Sequence, residues 1–127
     1  YNVGSVAMYE FEEIIGSRLI KVSVSSATYV GMDEQPQSNE VEGCCMEFDL
    51  GNFILENPYQ IKLPNDKEIK VSDLVGETVV EAYSTELEIR VVFSSGSYLT
   101  VSLLPEHFIG PEAASFESKE GDIVVFN

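Results

Sequence analysis

The sequence predicts a mainly β protein of one domain, and three observations lead to this prediction. Apolar and polar residues alternate along several short runs, as they do in strands that bury one face. Gly, Pro and Asn separate the runs and supply turns. The sequence also contains an internal repeat, in which the same order of aliphatic residues, Gly and an alternating run occurs twice. The length of 127 residues fits one domain with a core of its own.

The alternating runs define the predicted strands. In the first run, Ile20, Val22 and Val24 fall on one face, since successive side chains of a strand point to opposite sides. In the second run, Cys44 shares its face with Leu50. The predicted strands are Leu19–Ser25, Cys44–Leu50, Thr78–Ser84, Leu87–Phe93, Tyr98–Leu104 and Asp122–Asn127.

One or two short helices complete the prediction. Met8–Ile15 has room for two helical turns, and Gly16 would end them. Pro111–Phe116 has room for one turn, because Pro suits the first helical position and alanines favour helix.

An internal repeat organises these elements. Ile14–Val22 matches Leu74–Ala82, each with two aliphatic residues, Gly, two polar residues and an alternating strand. Phe48–Ile54 matches Phe93–Leu99, each with a strand ending in Phe, a Gly turn and an aromatic residue. We therefore predict a duplicated three-stranded antiparallel unit, arranged as a sandwich or a strongly bent sheet. Its parts are repeat A at about 14–57, repeat B at about 74–104 and a tail at 105–127.

Repeat A contains an insertion that repeat B lacks. The offset between matched positions is 60 at Ile14 and 45 at Phe48, so 15 extra residues lie between Ser25 and Cys44. The segment 27–43 is polar, acidic and contains Pro36, which predicts a long loop. Loops of this length are usually functional or disordered, and the sequence leaves both interpretations open.

The charge balance narrows the classes of function. Seven Lys and Arg stand against 22 Asp and Glu, for a net charge of −15 and a pI of about 4.1. A nucleic-acid backbone binder is excluded, because such proteins neutralise phosphates with cations. Docking on an anionic membrane is excluded for the same reason. A basic protein partner fits, because a field of one sign steers an oppositely charged molecule; solubility alone is the simpler interpretation.

Other features indicate the cytoplasm. No apolar run approaches the roughly 20 residues of a membrane span, and residues 1–10 show no signal-peptide pattern. Cys44 and Cys45 are adjacent, which strains a disulfide between them, and two thiols fit a reducing compartment. On a strand they point to opposite faces, Cys44 with the apolar residues and Cys45 with Glu47.

The sequence offers little for catalysis or metal binding. His107 is the sole histidine, it lies in a loop beside Glu106, and no nucleophile motif accompanies it. One His and two neighbouring Cys do not supply a tetrahedral zinc site. With 22 acids, pairs of carboxylates arise without any catalytic meaning. We therefore expect no cofactor and no metal.

A family resemblance appears in repeat B and the tail. The motifs are Leu74-Val75-Gly76, a strand ending at Phe93, Gly96 in the following turn, Gly110–Ala114 and a closing strand. The order of these motifs resembles that of certain small bacterial proteins of unknown function. Those proteins duplicate this unit, and some resemble immunity proteins of polymorphic or contact-dependent toxin systems. The resemblance implies protein binding and supplies no catalytic residues.

These observations lead to one main functional hypothesis and two alternatives. The chain is expected to be a non-enzymatic cytoplasmic immunity protein that blocks a basic, nuclease-like toxin with an acidic surface, without binding nucleic acid or membrane. One alternative is a structural module that forms homo-oligomers through sheet edges or through the closing strand, which is apolar on both faces. Another is a small enzyme that uses His107. The candidate partner-binding residues are Asp33, Glu34, Glu40, Glu42, Glu86, Glu88, Glu106 and Glu112.

Overall fold

The alternating runs form strands, as the sequence predicts. The computed structural model describes residues 9–29, 39–108 and 110–127, and ten strands lie within these ranges. They are β1 (Tyr9–Glu10), β2 (Leu19–Tyr29), β3 (Asn39–Phe48), β4 (Gly51–Leu55), β5 (Tyr59–Lys62), β6 (Val79–Ser84), β7 (Glu88–Phe93), β8 (Tyr98–Ser102), β9 (Ala114–Ser118) and β10 (Ile123–Phe126).

The strands form two antiparallel sheets of five strands each. Sheet 1 has the order β1-β6-β7-β8-β5, and sheet 2 has the order β10-β9-β4-β3-β2. Each sheet is built on a three-stranded meander, β6-β7-β8 in sheet 1 and β2-β3-β4 in sheet 2. The strand that follows each meander joins the other sheet, because β5 pairs with β8 and β9 pairs with β4. The mainly β prediction is therefore confirmed.

Side chains from both sheets form one hydrophobic cluster. Phe11 is fully buried, and its ring meets those of Phe53, Phe116 and Phe126 edge to face at centroid distances of 5.4, 5.5 and 5.0 Å. This geometry is the one that aromatic rings prefer. At the ends of β3 and β7, the buried rings of Phe48 and Phe93 stack on each other.

The two repeat segments make equivalent hydrogen bonds to each other. The Gly16 N–H donates to the Val79 carbonyl at 2.8 Å, and the Gly76 N–H donates to the Leu19 carbonyl at 2.8 Å. Both glycines have positive φ, at +88° and +95°, a conformation that favours glycine. The arrangement is compatible with a duplicated unit.

The first predicted helix is shorter than expected, and the second is wrong. Met8 lies outside the described residues, and β1 and a 3-10 helix at Glu12–Ile14 stand where the first helix was expected. The second stretch enters β9 at Ala114. Helices this short gain few internal hydrogen bonds, whereas pairing with a strand satisfies the backbone of both stretches.

Further 3-10 helices lie at Val71–Leu74 and Pro105–His107. No described helix is long and apolar enough to cross a membrane.

A β-bulge changes the predicted face of β2. Leu19 pairs with Phe48 and Lys21 with Glu47, so Ile20 is an extra residue without a partner on β3. The alternation shifts there, and Leu19 is buried while Ile20 is 41% exposed. An equivalent register shift occurs between β6 and β7.

The exposure of two other apolar residues also departs from the prediction. Val24 is 50% exposed, because it lies on the edge strand β2. Leu50 is 46% exposed, because it lies in the turn after Phe48 and not in the strand.

The predicted loop 27–43 is partly strand. β2 continues to Tyr29 and β3 starts at Asn39, and the register runs from Ser25 opposite Gly43 to Tyr29 opposite Asn39. β4 ends opposite Cys44, so this ribbon extends beyond the third strand of the meander. We call residues 25–29 and 39–43 the arm. The intervening residues 30–38 lie outside the described part of the chain.

Candidate protein-interaction surface

The base of the arm is joined to the tail of the chain. Cys44 pairs with Leu55, which pairs on its other side with Ala114. The backbone N–H groups of Glu56 and Asn57 then donate to the Ala113 carbonyl at 2.9 and 3.0 Å. These contacts place the start of the arm beside the segment that precedes β9.

The same end of the molecule includes the turns of sheet 1. The buried side chain of Asn57 donates from Nδ2 to the Ser102 carbonyl at 2.7 Å. The Leu103 N–H in turn donates to the Leu87 carbonyl at 2.8 Å. We call this region the arm end; it comprises the segments 39–44, 55–59, 84–88, 102–108 and 110–114.

The arm end is acidic. Its segments contain seven glutamates and neither Lys nor Arg. Six of the eight predicted partner-binding residues lie there, whereas Asp33 and Glu34 lie outside the described residues. Glu56 is the additional one, and sequence reasoning missed it because only the pairing of Leu55 with the tail places it here. The seven are Glu40, Glu42, Glu56, Glu86, Glu88, Glu106 and Glu112.

The turn between β6 and β7 holds Glu86 in an exposed position. Thr85 Oγ1 accepts hydrogen bonds from the Leu87 N–H at 3.1 Å and the Glu88 N–H at 3.3 Å. The Thr85 N–H also donates to the Glu88 carbonyl at 2.8 Å. Since these bonds satisfy the turn locally, the Glu86 carboxylate remains available to solvent or to a partner.

The other predicted acids differ in their surroundings. Glu88 accepts from Arg90 Nε at 3.0 Å, so its charge is partly compensated. Glu106 is exposed in the 3-10 helix Pro105–His107, and Glu112 is half-buried. Glu40 and Glu42 occupy β3 opposite Thr28 and Ser26 of β2, as part of the arm.

The cations lie elsewhere. Arg90, on β7, forms an ion pair with Glu88 of the arm end. The remaining cations lie outside the arm end, and several are close in sequence to glutamates or aspartates. They are Arg18, Lys21, Lys62, Lys67, Lys70 and Lys119.

His107 has a partner that the sequence did not predict. Its Nδ1 lies 2.5 Å from Ser102 Oγ, within hydrogen-bond distance, and the Leu104 N–H donates to the same oxygen at 3.2 Å. Both residues line a hollow of about 300 Å³ with Leu87 and others. In the part of the chain that the structure describes, no carboxylate hydrogen-bonds to His107, so the third member of a catalytic triad is not in place. A spacing of five residues across a strand end gives no sequence signal for this pair.

The cysteines occupy the faces that the sequence predicts. Cys44 is 2% exposed in the core and Cys45 is half-buried on the other face of β3. Among residues 9–29, 39–108 and 110–127, no group of three or more His, Cys, Asp or Glu side chains is placed to hold a metal ion. Comparisons with protein-family models, curated protein sequences and solved structures found no match to this chain.

Proposed function

We propose that the chain is a binding protein that uses the arm end to engage a basic surface of another protein. One observation carries the proposal, namely that seven glutamates and no Lys or Arg occupy the segments that meet at the arm end. A single acidic residue would not indicate a binding surface in a chain whose net charge is −15. Here, several separate segments of the chain contribute acids to one end of the sandwich.

Physical chemistry gives such an end two effects on binding. Its field raises the rate of encounter with a cationic partner by roughly 10- to 1,000-fold at low ionic strength. It also disfavours acidic partners, since like charges in contact cost several kcal/mol. Both effects need exposed carboxylates, and Glu86 and Glu106 meet that requirement.

The finer proposal is that the partner is a toxin and the chain its cytoplasmic immunity protein. A nuclease toxin has a cationic cleft for its phosphate backbone substrate, and the arm is a narrow two-stranded ribbon that carries Glu40 and Glu42. Insertion of the arm would place carboxylates where phosphates bind and would block the cleft. The family resemblance of repeat B and the tail also supports this proposal.

A pull-down with the product of the adjacent gene tests the proposal, followed by a measurement of affinity for the captured protein. The variant Glu86→Gln/Glu106→Gln/Glu112→Gln removes three charges at the arm end. Its matched control is Glu47→Gln/Glu117→Gln/Glu120→Gln, which removes three charges from exposed positions elsewhere. Both variants change the net charge equally, so a difference between them reports the position of the charge.

We expect the arm-end variant to weaken binding about tenfold or more and the control to change it less than about threefold, because exposed ion pairs are each worth roughly 0.2–1 kcal/mol. Added salt should weaken the wild-type complex through screening. Equal effects of the two variants, or an affinity that is unchanged between low and high salt, would contradict the proposal.

A further inference from the structure

The two strands that begin the meanders differ at their outer edges. In sheet 1, β6 is covered by β1, with Tyr9 opposite Ser84 and the Phe11 N–H donating to the Ala82 carbonyl at 3.0 Å. In sheet 2, β2 is the last strand, and no described strand pairs with its outer side. Leu19, at the start of β2, bonds to residues 76 and 77, and beyond it the edge that is closed in one repeat is open in the other.

The segment that corresponds to β1 in the second repeat takes another partner. Residues 69–70 stand 60 positions after Tyr9–Glu10. The Ile69 N–H donates to the Ile61 carbonyl at 3.1 Å, so this segment pairs with β5 and not with β2. A groove of about 420 Å³ remains between β2 and this segment, lined by Val22, Val24 and Ile69 among others.

Residues 22–29 of β2 lack the features that usually protect an edge strand, because the β-bulge at Ile20 and the charge of Lys21 both come before them. Exposed edges commonly carry charges or Pro, or are very short. β2 has 11 residues, and its only charge is Lys21 at the start, so residues 22–29 are uncharged and free of Pro. This run is rich in β-branched residues and Ser, which suit a paired strand.

The segments around the β2 edge have a net positive charge, in contrast to the rest of the chain. β2 contributes Lys21, and segment 59–72 contributes three lysines against two acids, so the two walls of the groove have a net charge of +2. The rest of the chain then has a net charge of −17. Two copies can therefore approach each other along this side with the least repulsion between acids.

We propose that β2 pairs with β2 of a second copy, antiparallel, and joins the two copies of sheet 2 into one ten-stranded sheet. Residues 22–29 would span roughly 27 Å of ladder at about 3.4 Å per residue. The pairing is two-fold symmetric, so it closes as a dimer and leaves no second β2 edge for growth. An uncharged strand selects an uncharged partner strand, and β2 itself supplies one.

The other open edge of sheet 2 is a weaker candidate. β10 has only four residues, and Glu117, Glu120 and Asp122 are close to it in the β9–β10 hairpin. Val124 is half-buried and Phe126 is buried, so one face of this closing strand already packs against the core. A second copy on β10 would bring these acids close to its own, at a cost in repulsion.

Light scattering coupled to size-exclusion chromatography, from about 1 μM to 1 mM, tests the proposal. Val24→Lys places a charge on the β2 edge, and Val125→Lys is its matched control on β10, since these valines are 50% and 42% exposed. We expect a concentration-dependent dimer that added salt strengthens, that Val24→Lys weakens by at least about tenfold, and that Val125→Lys leaves unchanged. Circular dichroism establishes that both variants are folded.

Hydrogen exchange provides a second measurement that needs no variant. The amides of 22–29 should become more protected as the concentration of wild-type protein rises, while those of β10 should not. A strict monomer over the whole concentration range would overturn the proposal, and so would a dimer that survives Val24→Lys. Binding of a basic partner is weakened by salt whereas this dimer is strengthened by it, so the two proposals fail independently.

Discussion

The two ends of the sandwich are built differently. At one end, which we call the bridge end, residues 16–19 meet residues 76–79 through reciprocal backbone hydrogen bonds of 2.8–2.9 Å. Two buried phenylalanines, Phe48 and Phe93, stack beneath them at a centroid distance of 6.5 Å. At the arm end, the two-stranded arm extends from the sheet and seven glutamates collect.

This difference supports the proposal that the bridge end stabilises the fold while the arm end binds a partner. Backbone hydrogen bonds and buried rings at the bridge end hold the two sheets together. Substitutions of these buried residues would therefore disturb the core. The arm end consists of turns and a ribbon, and exposed side chains of its turns, such as Glu86 and Leu87, can change without loss of the core. A binding surface is therefore better placed at the arm end.

Removal of either stacked ring should have the largest effect on stability. We expect Phe48→Ala and Phe93→Ala each to lower the free energy of unfolding by about 3–5 kcal/mol, the usual cost of deleting a buried Phe. The two costs should agree closely, because the residues occupy equivalent positions 45 residues apart. Urea denaturation followed by circular dichroism measures both.

The arm end supplies the control for this comparison. Leu87 is 63% exposed in the β6–β7 turn, so Leu87→Ala should change the stability by less than about 0.5 kcal/mol. A loss at Leu87 comparable with the loss at Phe48 would mean that the two ends contribute equally to stability.

The strands could be predicted because periodicity is a local signal. β7 and β8 follow the alternation closely, and Ile89, Val91, Leu99 and Val101 are all buried. Bulges are not local signals, because an extra residue such as Ile20 depends on the register with the neighbouring strand. The crossing of β5 and β9 to the opposite sheets was missed for the same reason, since their partners are distant in sequence.

The acidic surface could be predicted only in part. The sequence identified Glu40 and Glu42 by the insertion, and Glu86 and Glu88 by their charge alone. That these residues share one end follows from contacts such as that of Asn57 with Ser102, 45 residues apart in the chain. No pattern of residue types in the sequence predicts such a contact.

The turn glycines at the bridge end should show the next largest effect. A Cβ at Gly16 or Gly76 meets no atom within 4 Å, so the cost of Ala comes from the positive φ alone. We expect Gly16→Ala and Gly76→Ala each to lower the free energy of unfolding by about 1–2 kcal/mol.

Gly110, at the arm end, is the matched control for these glycines. It has the same open surroundings without a positive φ, so Gly110→Ala should be nearly neutral in the same urea titration. If all three substitutions cost the same, backbone conformation would not explain the rigidity of the bridge end.

Removal of one charge from each end should have a smaller effect. We expect Glu86→Gln to raise the free energy of unfolding by up to about 0.5 kcal/mol at low salt, because no Lys or Arg of the arm end offsets its repulsion from neighbouring acids. Glu120→Gln should give no gain, since Lys119 adjoins it. The gain should vanish near 1 M salt, where the Debye length is about 3 Å; a gain that persists there would have another cause.

The smallest effect concerns one tyrosine near the bridge end. Tyr98 Oη donates to Asp66 Oδ1 at 2.5 Å, and this hydrogen bond, with a smaller contribution from burial, raises the pKa of Tyr98 above its usual value of about 10. Because the folded state favours the protonated phenol, the bond stabilises the protein below about pH 10 and is lost as the pH rises through the raised pKa.

Ultraviolet difference titration of the phenolate measures this effect, with Tyr98→Phe identifying the signal. We expect Asp66→Asn to lower the pKa of Tyr98 toward its usual value, since an amide oxygen is a weaker acceptor without charge. Asn suits position 66, where φ is +65°, so the turn should remain intact. An unchanged titration in Asp66→Asn would mean that the carboxylate does not hold the phenol, since Arg90, whose guanidinium lies 4.6 Å from the ring centroid, lowers the pKa of Tyr98 and cannot account for the rise.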